Sequence, residues 1–244
     1  MQMIRAYQSP HYNGPAVKLG AGVTGGDASL FASQQGYRIV AGSCPTVGLV
    51  GGYTQGGGHS FLSGVYGFGA DNVLEWEVVL ASGEHLVATP TQHEELYWAL
   101  SGGGGGTFGV VVSMTVRVFP EGQSAVASLS FGVSTAGSED NFWNAVEGFF
   151  LEAQTLVDRH GVVFDFGISK DTLAVLGMIA PGLDDKALAS LMQPMMNTLT
   201  RRGISRQATN LAVKAGSSYY DLWATTTAPL RLRSNGIPIE HGQQ

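Results

Sequence analysis

Seventeen of the residues from Gly42 to Gly109 are glycine, including the runs Gly51-Gly52, Gly56-Gly57-Gly58 and Gly102 to Gly106. Glycine loses more backbone freedom on folding than any other residue, so a stretch this rich is costly to order. The return is close approach, because bare backbone N–H groups can reach phosphate or carbonyl oxygens with no side chain intervening. The chain as a whole has 35 glycines in 244 residues, about twice the usual share of roughly 7%. Apolar segments separate the glycines and no G-x-y period runs through them, which excludes collagen and a flexible linker. A flat, polar, extended ligand is the natural occupant of such loops.

Composition removes several other classes. Charged residues are only 13% of the chain, well under the roughly 25% of ordinary domains, while apolar residues reach 44%, so disorder is disfavoured. The formal net charge of −6 carries no footprint for nucleic acid, and Arg201, Arg202 and Arg206 read as a solvated helix end. One cysteine, Cys44, excludes an internal disulfide framework and a cysteine zinc site. His85 and His93 lack ligand spacing, so no metal is expected. The N-terminus has no apolar signal core and no run approaches a membrane span, which reads as a soluble, untargeted chain. The expected partner is a small molecule, with neither nucleic acid nor membrane.

Periodicity gives an α+β reading. Strands are expected over 16–19, 37–41 and 73–80, the last returning through Ala81-Ser82-Gly83-Glu84 as a hairpin with 85–88. Asp27 is expected to cap a helix over 28–35, and Thr91-x-x-Glu94 has the form of a capping box ahead of Leu96, Tyr97 and Leu100. Residues 110–119 alternate, with Val110, Val112, Met114, Val116 and Val118 on one face and Ser113, Thr115 and Arg117 on the other. Glu75 and Glu77 flank Trp76 and share a face, read as solvated. Pro120-Glu121-Gly122 marks a boundary, dividing the chain into 1–120 and 121–244. Beyond it follow a strand (126–133), a helix (139–160), a hairpin about Lys170-Asp171, a helix (184–202) kinked at Pro194, and a strand (204–213). The first of these helices presents Phe142, Val146, Phe149, Phe150, Ala153, Leu156 and Val157 on its apolar face. Together they form an antiparallel sheet with helices on one face. Tyr219, Tyr220 and Trp223 are candidates to line a substrate pocket, and the polar tail 234–244 has no packing signature.

Two segments match G-x-G-x-x-G. Gly20 to Gly25 lies between a strand and a helix, but Gly42-Ser43-Cys44 stand where a ribose-binding acid belongs. Gly104 to Gly109 leads into a strand. Tight turns explain both better than a dinucleotide fingerprint. No Gly-Lys-Ser/Thr and no G-x-S-x-G occur, which excludes a P-loop and a nucleophile elbow.

The ordered motifs Gly42-Ser43-Cys44-Pro45-Thr46-Val47-Gly48, Gly51-Gly52-Tyr53, Gly56-Gly57-Gly58-His59, Tyr66-Gly67-Phe68-Gly69-Ala70-Asp71-Asn72-Val73 and Trp98-Ala99-Leu100 through Gly109-Val110-Val111 carry a family resemblance. The chain resembles fungal berberine-bridge-like FAD-linked oxidoreductases of the wider vanillyl-alcohol-oxidase group, closely over 14–120 and more loosely to the end. The resemblance implies a partial PCMH-type FAD-binding domain, its second flavin half, over 1–120 and part of a substrate domain over 121–244. It implies FAD as cofactor, with Cys44 a candidate for covalent attachment to flavin C6. Gly42, Thr46, Val47, Gly48, Gly51, Gly52, Gly57, Gly58 and His59 would line the isoalloxazine and diphosphate. Gly69, Asp71, Gly109 and Val110 would sit near the flavin or adenosine. The implied reaction oxidises a small alcohol, sugar or specialised metabolite by hydride transfer to flavin, with oxygen as acceptor.

Taken as residues alone, Cys44 reads equally as a small buried hydrophobe, and His59 as a loop histidine satisfied by backbone. The family's first flavin half and its second attachment histidine would precede this chain; His11 lacks a Gly-His context and is not that residue. A C-terminal segment that commonly supplies a tyrosine base would follow it, and many relatives are secreted. The catalytic base is therefore unassigned. A fragment, a degenerate paralogue and a short form with a new role stay open. The alternative function is a flavin-free remnant, acting as a binding module or non-redox isomerase or cyclase, or inactive.

Overall fold

The computed structural model describes residues 1–233, with side chains as far as Thr226; the tail 234–244 lies outside the described residues. The chain divides into two compact units that meet in sequence at Gly122/Gln123.

The first unit runs β1 (Gln2–Gln8), β2 (Asn13–Gly20), α1 (Gly25–Gln34), β3 (Tyr37–Arg38), a π-helical turn (Leu49–Tyr53), α2 (Ser63–Tyr66), β4 (Val73–Val79), β5 (His85–Ala88), α3 (Glu94–Leu100), β6 (Val110–Arg117) and β7 (Phe119–Pro120). Five of the strands form an antiparallel sheet in the order β1-β2-β6-β4-β5. Its inner face buries Val17, Leu19, Trp76, Val78, Met114 and Val116 against Ala28, Ala32, Leu49 and Val50. Trp76 donates its indole N–H to Ser101 Oγ at 3.0 Å, and Tyr97 donates to the Val73 carbonyl at 2.6 Å. These two bonds fasten α3, and with it the start of the Gly102–Gly106 run, to β4.

Several local expectations change. The expected strand over 37–41 is only the two-residue β3, paired with β7. Thr24, not Asp27, caps α1: Thr24 Oγ1 accepts from the Asp27 amide and donates to its carboxylate, a reciprocal cap. At α3 the expected Thr91 box does not form, because Thr89 to Gln92 close a tight turn and His93 precedes the helix in the left-handed region at φ 52°. The alternation of β6 also breaks. Ser113 pairs with Glu77 but Val111 pairs with Val78, so Val112 is an extra residue that reverses the faces. Val110 and Val112 are therefore exposed, whereas Val111, Met114 and Val116 are buried.

The outer face of this sheet is a linked polar lattice and not merely a solvated surface. Glu75 accepts from Tyr7 and Thr115, both at 2.9 Å. Glu77 meets Lys18 at 2.8 Å, His85 at 3.0 Å, and the Ser113 hydroxyl. Five strands are thus tied through two carboxylates.

The second unit runs β8 (Ser124–Gly132), α4 (Val133–Ala136), α5 (Glu139–His160), β9 (Val163–Ile168), β10 (Thr172–Pro181), α6 (Asp185–Arg201), β11 (Ala212–Gly216) and α7 (Tyr219–Arg233). The sheet is antiparallel in the order β11-β8-β10-β9. Alternate residues of β8 (Ala125, Ala127, Leu129, Phe131) meet Phe142, Phe149 and Leu156 of α5 and Leu188, Met192 and Met195 of α6. Ser138 and Asp184 cap the two long helices, and Gly161 ends α5 at φ 62°. Pro194 lies inside α6. The expected strand over 204–213 is instead a turn from Ser205, followed by the shorter β11. Phe150 and Val157 do not join the α5 core face but stand half exposed.

Hydrogen bonds from Lys18 and Ser113 lower the Glu77 carboxyl from 4.5 to about 2. Since the folded value lies below the unfolded one, the stabilisation is full above pH 4.5 and is lost as pH falls toward 2. Acid titration of thermal stability should show this loss in the wild type. Glu77→Gln should be weaker at neutral pH by about 1–2 kcal/mol and flatter across that acid window.

Candidate flavin site

The glycine-dense loops of the first unit converge on one aromatic ring. Tyr53 ends the π-helical turn and donates its hydroxyl to the His59 carbonyl at 2.7 Å, closing the loop between them. Burial raises the Tyr53 hydroxyl above its ordinary value, so it stays a neutral donor. A Cβ on Gly42 would lie 3.0 Å from this ring, on Gly58 2.7 Å and on Gly69 3.3 Å. Gly58 is moreover at φ +77°, a conformation that disfavours any side chain. These three glycines pack on Tyr53. The sequence reading did not assign Tyr53 a site role; its place between Gly51-Gly52 and the Gly56 to Gly58 run is the signal that marks it.

Backbone contacts bring in the remaining loops. The Gly104 amide donates to the Gln55 carbonyl at 2.8 Å, and a Cβ on Gly105 would lie 2.9 Å from Gly52 Cα. The 42–48 loop docks on the start of α1, with the Gly25 amide on the Val47 carbonyl at 2.9 Å and the Gly26 amide on the Pro45 carbonyl at 2.8 Å. Cys44, Thr46, Val47 and Gly48 are exposed along this loop, and Cys44 Sγ lies 3.5 Å from Thr46 Oγ1. Exposure decides against the reading of Cys44 as a small buried hydrophobe.

A second group of glycines faces open space. Nothing lies within 4 Å of a Cβ built on Gly48, Gly51, Gly52 or Gly57, nor on Gly102, Gly104 or Gly106. Gln55, whose carbonyl accepts from the Gly104 amide, is buried, and its side-chain oxygen has no hydrogen-bond partner. Glycine backbone open to space is what the close approach of a polar, flat ligand needs.

Other expected residues have local duties. Asp71 accepts from the Phe68 amide at 2.8 Å and packs on Gly67 at φ +78°, while Asn72 donates to the Tyr66 and Phe68 carbonyls. His59 is exposed, its ring 5.8 Å from that of Phe68. Gly109 packs on Val78 and Val79 at the start of β6, beside exposed Val110, so both are placed by β4 and not by the Tyr53 cluster.

The second unit has its own cavity of about 450 Å³, on the face of β8 and β10 that turns away from the α5 and α6 core. Ser128, Ser130, Asn210, Lys214 and Thr225 give it polar walls. Tyr219 and Trp223, expected as pocket aromatics, are instead buried; α7 contributes Leu222, Thr225 and Thr226. Among the described residues, no helix is long and apolar enough to cross a membrane.

Residues 9–89 match the family model described as FAD binding domain. The VAO-type flavoprotein oxidase VAO615 of Thermothelomyces thermophilus is 48% identical over 228 residues, which is 93% of this chain and 39% of that protein. The FAD-linked oxidoreductase sthB of Phaeosphaeria nodorum is 50% identical over 198 residues, 81% of this chain and 62% of that one. The crystal structure of VAO-type flavoprotein MtVAO615 from Myceliophthora thermophila superposes with a TM-score of 0.87 at 47% identity, covering 92% of this chain and 40% of that chain. This chain therefore spans from about two fifths to about three fifths of the length of these relatives. Residues 9–89 therefore carry an FAD-binding domain, and over most of its length the chain is similar to VAO-type flavoprotein oxidases and FAD-linked oxidoreductases.

Proposed function

We propose that the chain is the flavin-facing part of an FAD-linked oxidase that acts on a small alcohol, sugar or specialised metabolite. In this reading residues 1–120 are the second flavin half and 121–244 part of the substrate domain. The observation that carries it is the set of glycines open to space, Gly48, Gly51 and Gly52, with Cys44 exposed on the adjoining loop. Gly48, Gly51 and Gly52 would offer amides to the cofactor and Gly57 would allow its close approach, while Gly42, Gly58 and Gly69 would fix the shelf by seating Tyr53. Cys44 would hold the ring through its sulfur at C6, with Thr46 and Val47 beside it. His59, Asp71, Gly109 and Val110 would shape the rim. When bound, the flavin supplies a hydride acceptor that oxygen can reoxidise.

The chain's own part is to hold and orient. Neutral Tyr53 keeps the His59 carbonyl turned inward to the loop. The hydroxyl, amide and ammonium groups of Ser128, Ser130, Asn210 and Lys214 suit an oxygen-rich metabolite in the second unit's cavity.

Purified protein should be yellow, or turn yellow with added FAD, and keep flavin on the polypeptide after acid denaturation. Cys44→Ser should release that flavin. Colourless protein that takes up no added FAD would overturn the assignment.

Two alanine substitutions separate packing from ligand approach. Gly58→Ala meets both Tyr53 and a positive φ and should destabilise the chain by about 2 kcal/mol or more in thermal melts. Gly52→Ala enters open space and should leave stability within about 0.5 kcal/mol, yet weaken FAD binding about tenfold in a fluorescence titration.

A further inference from the structure

The second unit has an apolar surface that its own core does not use. Trp143, Phe150 and Val157 recur every seven residues along α5, each close to half exposed at 43%, 46% and 45%. Seven residues is nearly two helical turns, so the three form one stripe. The stripe lies beside β9, since the Phe150 and Phe166 rings meet edge to face at 5.7 Å. In sheet order β9 is terminal and pairs only with β10 among the described residues. Its sequence, VFDFGI, has no Lys, Arg or Pro, the residues that usually blunt an edge, and Phe166 and Ile168 are exposed.

We propose that this face binds a second copy of the chain about a two-fold axis that runs through the Phe150/Phe166 contact, perpendicular to the sheet. Such an axis lays β9 antiparallel to its copy and keeps α5 and its copy on the same side. Residues that face α5 must then oppose residues that face the partner's α5, which restricts the register to even shifts. Centring on Asp165 would set two carboxylates face to face. Centring on Phe166 sets Phe166 opposite itself, Phe164 opposite Ile168, and Asp165 opposite Gly167, with no like charges paired. The same axis on α5, centred at Phe150, sets Trp143 opposite Val157. It also brings the acidic first turn, Glu139 and Asp140, beside the partner's basic last turn, Arg159 and His160. Strand register, helix stripe and end charges are therefore satisfied by one operator, which is the argument for a copy of this chain in preference to an unrelated protein.

The test is sedimentation equilibrium of the full chain from low micromolar to its highest soluble concentration. Wild type should fit a monomer–dimer equilibrium. Phe150→Lys and Phe166→Lys should each weaken dimerisation by about tenfold or more. Leu151→Lys, equally exposed but off the stripe, should not. Far-UV circular dichroism and thermal melts identify any variant that fails to fold. Phe150→Cys in a Cys44→Ser background gives a second measurement, a homodimer captured by a short bismaleimide. A wild type that stays monomeric throughout would overturn the proposal, as would a dimer indifferent to both lysines or one that gives no cross-link at position 150.

Discussion

The first unit's glycine loops are organised by the seating of one ring, Tyr53, among backbone that has no side chains. Gly42, Gly58 and Gly69 approach it from three separate loops, and its hydroxyl closes a fourth contact at the His59 carbonyl. Leu49, Val50, Phe61 and Leu62 anchor these segments in the core, and Tyr53 is the ring on which three of their glycines close. Burial of the hydroxyl is tolerated because it is neutral and paired.

This arrangement divides the glycines by physical cause. Where a Cβ would strike Tyr53, Gly52 or the Val78 side chain, glycine is required by the protein's own packing. Where a Cβ would meet nothing and φ is not positive, as at Gly48, Gly51 and Gly52, packing gives no reason for glycine. Such positions lose entropy on folding without an internal gain, and a ligand that approaches the backbone supplies one. The buried, unpaired Gln55 oxygen points the same way, since a protein seldom leaves a buried acceptor unmatched. Similarity to flavoproteins thus agrees with an argument made from space and hydrogen bonds.

The outer lattice of the five-stranded sheet bears on the same site through register. Glu75 and Glu77 can bind Thr115 and Ser113 only because Leu74 and Val112 are extra residues that shift the pairing. Without the Val112 bulge, the faces of β6 beyond it would exchange and Val111 would leave the core. Gly109 lies three residues before Val112 and packs against Val78, so the bulge also decides how the Gly102–Gly106 loop enters the sheet.

Features governed by short-range chemistry were legible in the sequence. The 22-residue α5 is bounded by Ser138 and Gly161, both signals a reader can use, and its limits agree with the expected 139–160. The glycine motifs likewise pointed to the loops and the cofactor. What was not legible depends on a partner strand or ring distant in sequence. The valine alternation of β6 is indistinguishable from an uninterrupted strand, because a bulge is a choice between registers that β4 makes through Glu77 and Val78. Phe150 and Val157 fit the apolar period of α5, yet the helix already buries Phe149 and Leu156 on a narrower face. Tyr53 was visible as a motif letter, but its role depends on Gly42, Gly58 and Gly69 arriving around it, which no local pattern records. A site made of backbone is therefore recognised in sequence by where glycine is allowed, and understood only when each glycine's neighbour, or lack of one, is known.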